Sequence, residues 1–168
     1  MPPARLLIAQ PLERAGYAPF GDVIEAGTAG EPANAGTARR FNRLAALENR
    51  RPGAAEPNLC VFRVTPVGSN PVPLRALERH RDSTQVFVPM AGSARYLVVV
   101  APGGASPDLR RLQAFVARAG QGVTYRPGTW HHPLLALDAE TDFACLVHEA
   151  GDAGDCEVRP VAGIDVRY

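Results

Sequence analysis

The sequence predicts a mainly β fold, a small jelly-roll type β-barrel with an N-terminal α/β decoration, residues 1–168 forming one domain. Three observations predict it. Gly and Pro contribute 16 residues each to a chain of 168, a heavy share of turn formers. Short apolar or alternating runs recur along the second half, with turn signals at a spacing of about 8 to 12 residues. Apolar residues make up 46% and charged ones 21%, an ordinary globular balance that excludes a disordered chain.

The elements follow in order. Residues 6–8 are a short apolar run, residues 11–15 read as one helical turn, and residues 20–24 (Phe-Gly-Asp-Val-Ile) form a compact apolar segment. Residues 27–36 are a loop of small residues, and a second loop spans 50–57. Residues 59–64 read as a strand, and further strands are expected at 74–78, 85–88, 95–100, 113–117, 123–125, 132–137 and 143–148. Gly, Pro, Asn and Asp clusters at 69–71, 91–93, 102–104, 120–122, 127–128 and 138–141 supply the turns. Only 108–112, directly after Pro107, looks helical in this half. Repeats, heptads and runs of like charge are absent from the sequence.

Charge and composition exclude several functions. Eighteen basic residues against 17 acidic ones give a formal charge of +1, without the excess that binding a phosphate backbone demands, so nucleic acid is not expected as a partner. All 18 basic residues are arginine. Schiff-base chemistry, pyridoxal phosphate attachment and the lysine of a phosphate-binding loop are therefore excluded. Residues 1–10 hold an apolar run too short for a secretory signal, and no run approaches the roughly 20 residues of a membrane span. The expectation is a cytoplasmic protein without a membrane partner. The three cysteines, Cys60, Cys145 and Cys156, have neither the even number of a disulfide framework nor a CxxC spacing. They read as packing or incidental thiols, and the strand context of Cys145 argues against a nucleophile.

The chemistry concentrates in two segments. Glu78 and His80 are two residues apart, so on a strand they project from one face. Gln85 follows five positions on and Gly92 seven further. This spacing resembles the first motif of the cupins, in which ligand residues line one side of a barrel strand. The second segment, residues 122–131, carries Pro127-Gly128 three positions before His131 and resembles the second cupin motif. Facing one another, the two segments would offer Glu78, His80, Gln85 and His131 to a divalent metal, nitrogen with oxygen donors suiting a borderline ion. Each residue also has a plain structural reading. Glu78 and His80 fit a solvated strand face. His131 and His132 precede Pro133 and must point to opposite sides, spacing favouring His131 inward and strand parity leaving His132 open. Trp130 fits a core or rim aromatic better than a substrate platform, Arg40 and Arg79 fit surface charges, and Tyr125 fits a satisfied phenol as readily as a proton donor.

Several stretches together resemble one cupin family, the ureidoglycolate lyases: residues 18–25, 34–41, 77–80, 84–89, 96–101 and 120–134, in the same order over most of the chain. The Glu78-Arg79-His80 and Trp130-His131-His132-Pro133 segments are the most specific of them. The resemblance implies a homodimer that splits ureidoglycolate, a small ureido acid, into glyoxylate and urea during allantoin degradation, associated with a divalent metal, nickel in particular. It implies His80 or Glu78 as base and His131 or Tyr125 as acid. Arg40 or Arg79 would grip the substrate carboxylate, with Gln85, Trp130 and His132 completing the pocket. The chain departs from the family at 148–152, where His-Glu-Ala-Gly-Asp replaces a segment richer in Arg and Gly, and at Arg43, where an Asp is usual. Rival readings are an amidohydrolase releasing ammonia from the same substrate, and a non-catalytic cupin that binds or senses a small acid. A metal-dependent oxygenase is disfavoured because Gln85 stands where iron would want a carboxylate or His.

Overall fold

The computed structural model describes residues 5–90 and 94–168. The chain is mainly β. A seven-stranded sheet runs in the order Glu157–Pro160, Ala76–Arg79, Trp130–His131, Tyr96–Ala101, Gln113–Ala117 and Gln10–Pro11, with Leu135–Ala136 also paired to Tyr96–Ala101. A five-stranded sheet runs Val23–Ile24, Gly122–Tyr125, Gln85–Pro89, Thr141–Glu149 and Glu56–Val64. A smaller sheet of Arg5–Ile8, Ile164–Arg167 and Val72–Pro73 packs outside the first, and Glu31–Ala33 pairs with Ala38–Arg40.

Strand Tyr96–Ala101 is apolar throughout because both its faces are covered. Tyr96, Val98 and Val100 join Phe87, Val123, Tyr125, Phe143 and Cys145 in the core between the two large sheets. Leu97, Val99 and Ala101 join Leu77, Trp130, Ile164 and Val166 in a second core behind the seven-stranded sheet. The period of two along the strand therefore assigns each neighbour to one core or the other.

The N-terminal decoration is pinned to strand Gly122–Tyr125. Tyr17 donates its hydroxyl to the Thr124 carbonyl at 2.9 Å, and the Asp22 amide donates to Thr124 Oγ1 at 2.9 Å. Gly21 lies so close that a Cβ there would sit 1.8 Å from the Thr124 carbonyl oxygen, which only glycine permits.

The structure corrects several expected boundaries. The helical turn is Arg14–Tyr17 rather than 11–15, since Pro11 is used in a strand opposite Val116. Residues 109–111 form a 3-10 turn, with Asp108 accepting from the Arg110 amide at 3.1 Å. The strand expected over 132–137 is reduced to Leu135–Ala136, and a separate strand, Trp130–His131, ends before Pro133, which has no amide to give a ladder. The small-residue loop contains Glu31–Ala33, and strands Glu157–Pro160 and Ile164–Arg167 were not expected. The turn expected at 91–93, with its Gly92, lies outside the described residues, as do positions 1–4 of the N-terminal segment.

Candidate active site

Strand register builds the site. In Ala76–Arg79, Leu77 is packed in the outer core, so Glu78 projects to the opposite, inner face. His131 sits directly opposite both Glu78 and Val100 across the ladder, and cross-strand partners share a face. His80 follows just past the strand end. The donor atoms of Glu78, His80 and His131 lie within 4.8 Å of one another. On the facing sheet, Gln85 and Tyr125 are opposite one another, both buried. The Tyr125 ring stacks on His131 with centroids 3.8 Å apart and planes 6° from parallel, and His80 flanks His131 at 5.9 Å.

Hydrogen bonds decide which imidazole nitrogens are available. His80 Nδ1 lies 2.9 Å from the Asp155 carbonyl oxygen, and His131 Nδ1 lies 3.0 Å from that of Thr129. A carbonyl oxygen only accepts, so both Nδ1 atoms carry hydrogen, and in the neutral rings it is Nε2 that carries the lone pair. His131 Nε2 is 3.4 Å from Glu78 Oε1. Gln85 Oε1, the Tyr125 hydroxyl and His131 Nε2 are buried without a hydrogen-bond partner among the described residues. Each unmet buried polar group costs about 1–3 kcal/mol. Three of them would remove much of the roughly 5–15 kcal/mol that stabilises a domain. Such a set is built to meet a ligand or solvent.

The residues fit a divalent cation. Two imidazole Nε2 atoms whose opposite nitrogens are anchored, together with one carboxylate, form the donor set and outer support that borderline divalent ions take.

Burial lowers the His80 pKa, the neighbouring His131 adds to this, and Glu78 opposes it. Burial likewise lowers that of His132. Burial works to raise Glu78, but the neighbouring His131, His80 and His132 imidazoles outweigh this and leave it lowered. Burial, then the neighbouring Tyr96 and Glu78, push the Tyr125 phenol well up, so it keeps its proton. Cys145 is pushed up to about 12 by burial and by Cys60, its cross-strand partner, and Cys156 to about 11. Neither thiol is a thiolate at neutral pH, in keeping with the packing role expected of them.

A stability prediction follows from the two depressed histidines. Above the unfolded pKa of about 6.5, both states hold these rings neutral. As pH falls below it, the unfolded chain takes up protons that the native rings resist, and stability is lost. The melting temperature is expected to be level from pH 8 to about 6.5 and to fall below that, with His132→Gln reducing the fall. A wild-type profile that stays level down to pH 5 would contradict it.

A model of the ureidoglycolate lyase family matches residues 4–164. The chain belongs to the ureidoglycolate lyase family. It is thereby an enzyme of the lyase class. A ureidoglycolate lyase of Burkholderia cepacia is 43% identical over 158 residues, covering 93% of this chain and 86% of that protein. One from Pseudomonas savastanoi pv. phaseolicola is 38% identical over 154 residues, covering 91% and 88%. One from Azotobacter vinelandii is 37% identical over 155 residues, covering 91% and 90%. Among solved structures, a dTDP sugar isomerase from Desulfovibrio desulfuricans G20 superposes with a TM-score of 0.47 at 16% identity, over 84% of this chain and 86% of that one, and no function is transferred from it.

Not every residue singled out in this lyase meets the cluster. The Arg79 guanidinium stacks 4.6 Å from the Trp130 ring centroid and is paired to Glu157 at 2.6 Å. Trp130 itself is fully buried in the outer core and donates its indole N–H to the Gly104 carbonyl at 3.2 Å. His132 turns to a separate cavity of about 360 Å³ beside Val67, Val72 and Leu135, so it is His131 that joins the donors. Arg40 lines an outer cavity of about 450 Å³ with Arg14, Glu25 and Phe41, which contains none of the cluster. Sequence reasoning missed Asp155, whose carbonyl anchors His80, and Cys156, whose Sγ is 4.0 Å from Glu78 Oε2. The Gly-Asp-Ala-Gly-Asp run at 151–155 was the visible signal for a tight turn there. No helix of the described residues is long and apolar enough to cross a membrane.

Proposed function

We propose that this lyase splits ureidoglycolate into glyoxylate and urea at the Glu78, His80, His131 cluster. The observation that carries the reading is the convergence of two oriented imidazoles and a carboxylate on one buried spot opposite Tyr125, within a chain of this family. Ureidoglycolate carries a hydroxyl and a ureido nitrogen on the same carbon. His80 Nε2 takes the hydroxyl proton, the oxygen's electrons form the new carbonyl, and the carbon–nitrogen bond breaks. The departing nitrogen receives a proton from the Tyr125 hydroxyl, which burial keeps protonated, or from His131 once charged, and leaves as urea. Glu78, held ionised, stabilises positive charge gained by either imidazole. Gln85 Oε1 is placed to accept from the ureido group.

A second reading is favoured by the same donor set. Glu78, His80 and His131 would hold a divalent cation, nickel by the family resemblance, which supplies Lewis-acid polarisation that lowers the hydroxyl pKa. Arg79 is committed to Glu157 and Trp130, and Arg40 lines an outer cavity that contains none of the cluster, so a cation would also provide the positive charge a substrate carboxylate needs. The His80 lone pair serves one role at a time.

The wider reading places the enzyme in the cytoplasm, recovering nitrogen from allantoin, as a homodimer. Support for a second copy comes from Leu59, 75% exposed, and Val61, 58% exposed, on the edge strand Glu56–Val64.

The test incubates the purified protein with ureidoglycolate, with and without chelator and added nickel, and quantifies glyoxylate, urea and ammonia together. Equimolar glyoxylate and urea are expected. Loss of turnover on chelation, restored by nickel, assigns the cluster to the cation; unchanged turnover assigns His80 to proton transfer. Ammonia in place of urea, or no product from folded protein, overturns the lyase reading.

A further inference from the structure

We infer that Asp155 is a positioning residue that sets the tautomer of His80, with Arg51 as its clamp; this rests on the role given to His80 above. Asp155 does not reach the cluster with its side chain. Its backbone carbonyl oxygen meets His80 Nδ1 at 2.9 Å and thereby leaves Nε2 as the lone-pair nitrogen.

Two features hold that carbonyl in place. On the C-terminal side, strand Glu157–Pro160 pairs with Ala76–Arg79 so that Glu157 lies opposite Arg79, which brings the residues just before Glu157 alongside those just after Arg79. On the N-terminal side, the Asp155 carboxylate closes the loop on itself. It accepts from the amides of Ala150 at 2.8 Å, Gly151 at 2.7 Å and Asp152 at 3.1 Å. The Asp155 amide in turn donates to the Asp152 carbonyl at 3.1 Å.

Arg51 ties this loop to a distant segment. Its Nη1 donates to Asp155 Oδ1 at 3.1 Å, and its Nη2 donates to Asp152 Oδ2 at 2.6 Å. A carboxylate receiving three amides and a guanidinium has no freedom to rotate, so the backbone that carries it is fixed as well. Asp155 thus lies just past the segment where this chain departs from the pattern its resemblance implied, residues 148–152, and is held by amides of that segment. The changed residues supply the amides that hold Asp155, and Asp155 supplies one acceptor to His80.

The test compares wild type, Asp155→Ala and Asp155→Asn by long-range proton–nitrogen NMR of the imidazole rings, with His80→Gln used only to assign the His80 signals. Wild type is expected to show His80 with a protonated Nδ1 and an unprotonated Nε2. Asp155→Ala is expected to show mixed tautomers at His80 and an unchanged His131. Its kcat is expected to drop roughly 10- to 100-fold with KM changed less than twofold, the range for loss of an outer support. Asp155→Asn, which keeps one acceptor oxygen in the loop, is expected to lie between and remains readable if the alanine variant does not fold. An unchanged Nδ1–H signature in both variants overturns the proposal while leaving the lyase reading intact. If wild type turns over no ureidoglycolate, the lyase reading fails and the ring spectra still decide the role of Asp155.

Discussion

His80→Ala is expected to lower kcat for glyoxylate release by roughly 10²- to 10⁴-fold, the range for losing a placed general base. The ring is buried, its Nδ1 is bound to the Asp155 carbonyl, and its lone pair is directed to the spot where Glu78 and His131 converge. The depressed pKa keeps that lone pair free of a proton at neutral pH. In wild type the acid limb of kcat/KM should therefore fall below pH 6.5, and in the variant that limb should vanish along with most of the rate. If a cation occupies the cluster, the same substitution removes a ligand, and the loss should be partly recovered by excess metal. Initial rates at saturating ureidoglycolate give the number. Turnover within threefold of wild type would remove His80 from the reaction.

Trp130→Ala is expected to cost about 3–5 kcal/mol of stability, as truncation of a fully buried large aromatic does. The ring fills the outer core against Leu77 and its neighbours, and its far face takes the Arg79 guanidinium at 4.6 Å. That stacking adds about 0.5–2 kcal/mol. Both contacts lie behind the sheet that carries His131, so per folded molecule the turnover should change little. Denaturant unfolding and low-temperature rates separate the two effects. A raised KM at unchanged stability would put the ring in the substrate pocket instead.

The difference between Trp130 and His131 explains how far the sequence can be read. Glu78 and His80 were legible as one face because strand periodicity is fixed by backbone geometry, and the Pro127-Gly128 turn fixed the spacing to His131. Parity then places Trp130 and Arg79 on the other side, yet nothing in the sequence states that this other side is also covered. It is covered by Ile164–Arg167, whose short run carries too few residues to announce a strand. The mainly β character was legible from turn residues, whereas the break between strands Trp130–His131 and Leu135–Ala136 depended on a single proline. Asp155 escaped notice for a different reason. It acts through a backbone carbonyl, and every residue has one, so only the folded loop reveals which of them meets His80.

The most direct test of the central claim, that the buried donors work as one centre, is a double-mutant cycle on kcat/KM with His80→Ala, His131→Ala and the pair. Residues acting as a unit are far from additive, because the first loss already disables what the second would have contributed. The expected result is a double variant no more than about threefold worse than the poorer single variant. Fully additive losses, the double variant falling by the product of the two single effects, would contradict the account and place the two histidines in separate roles.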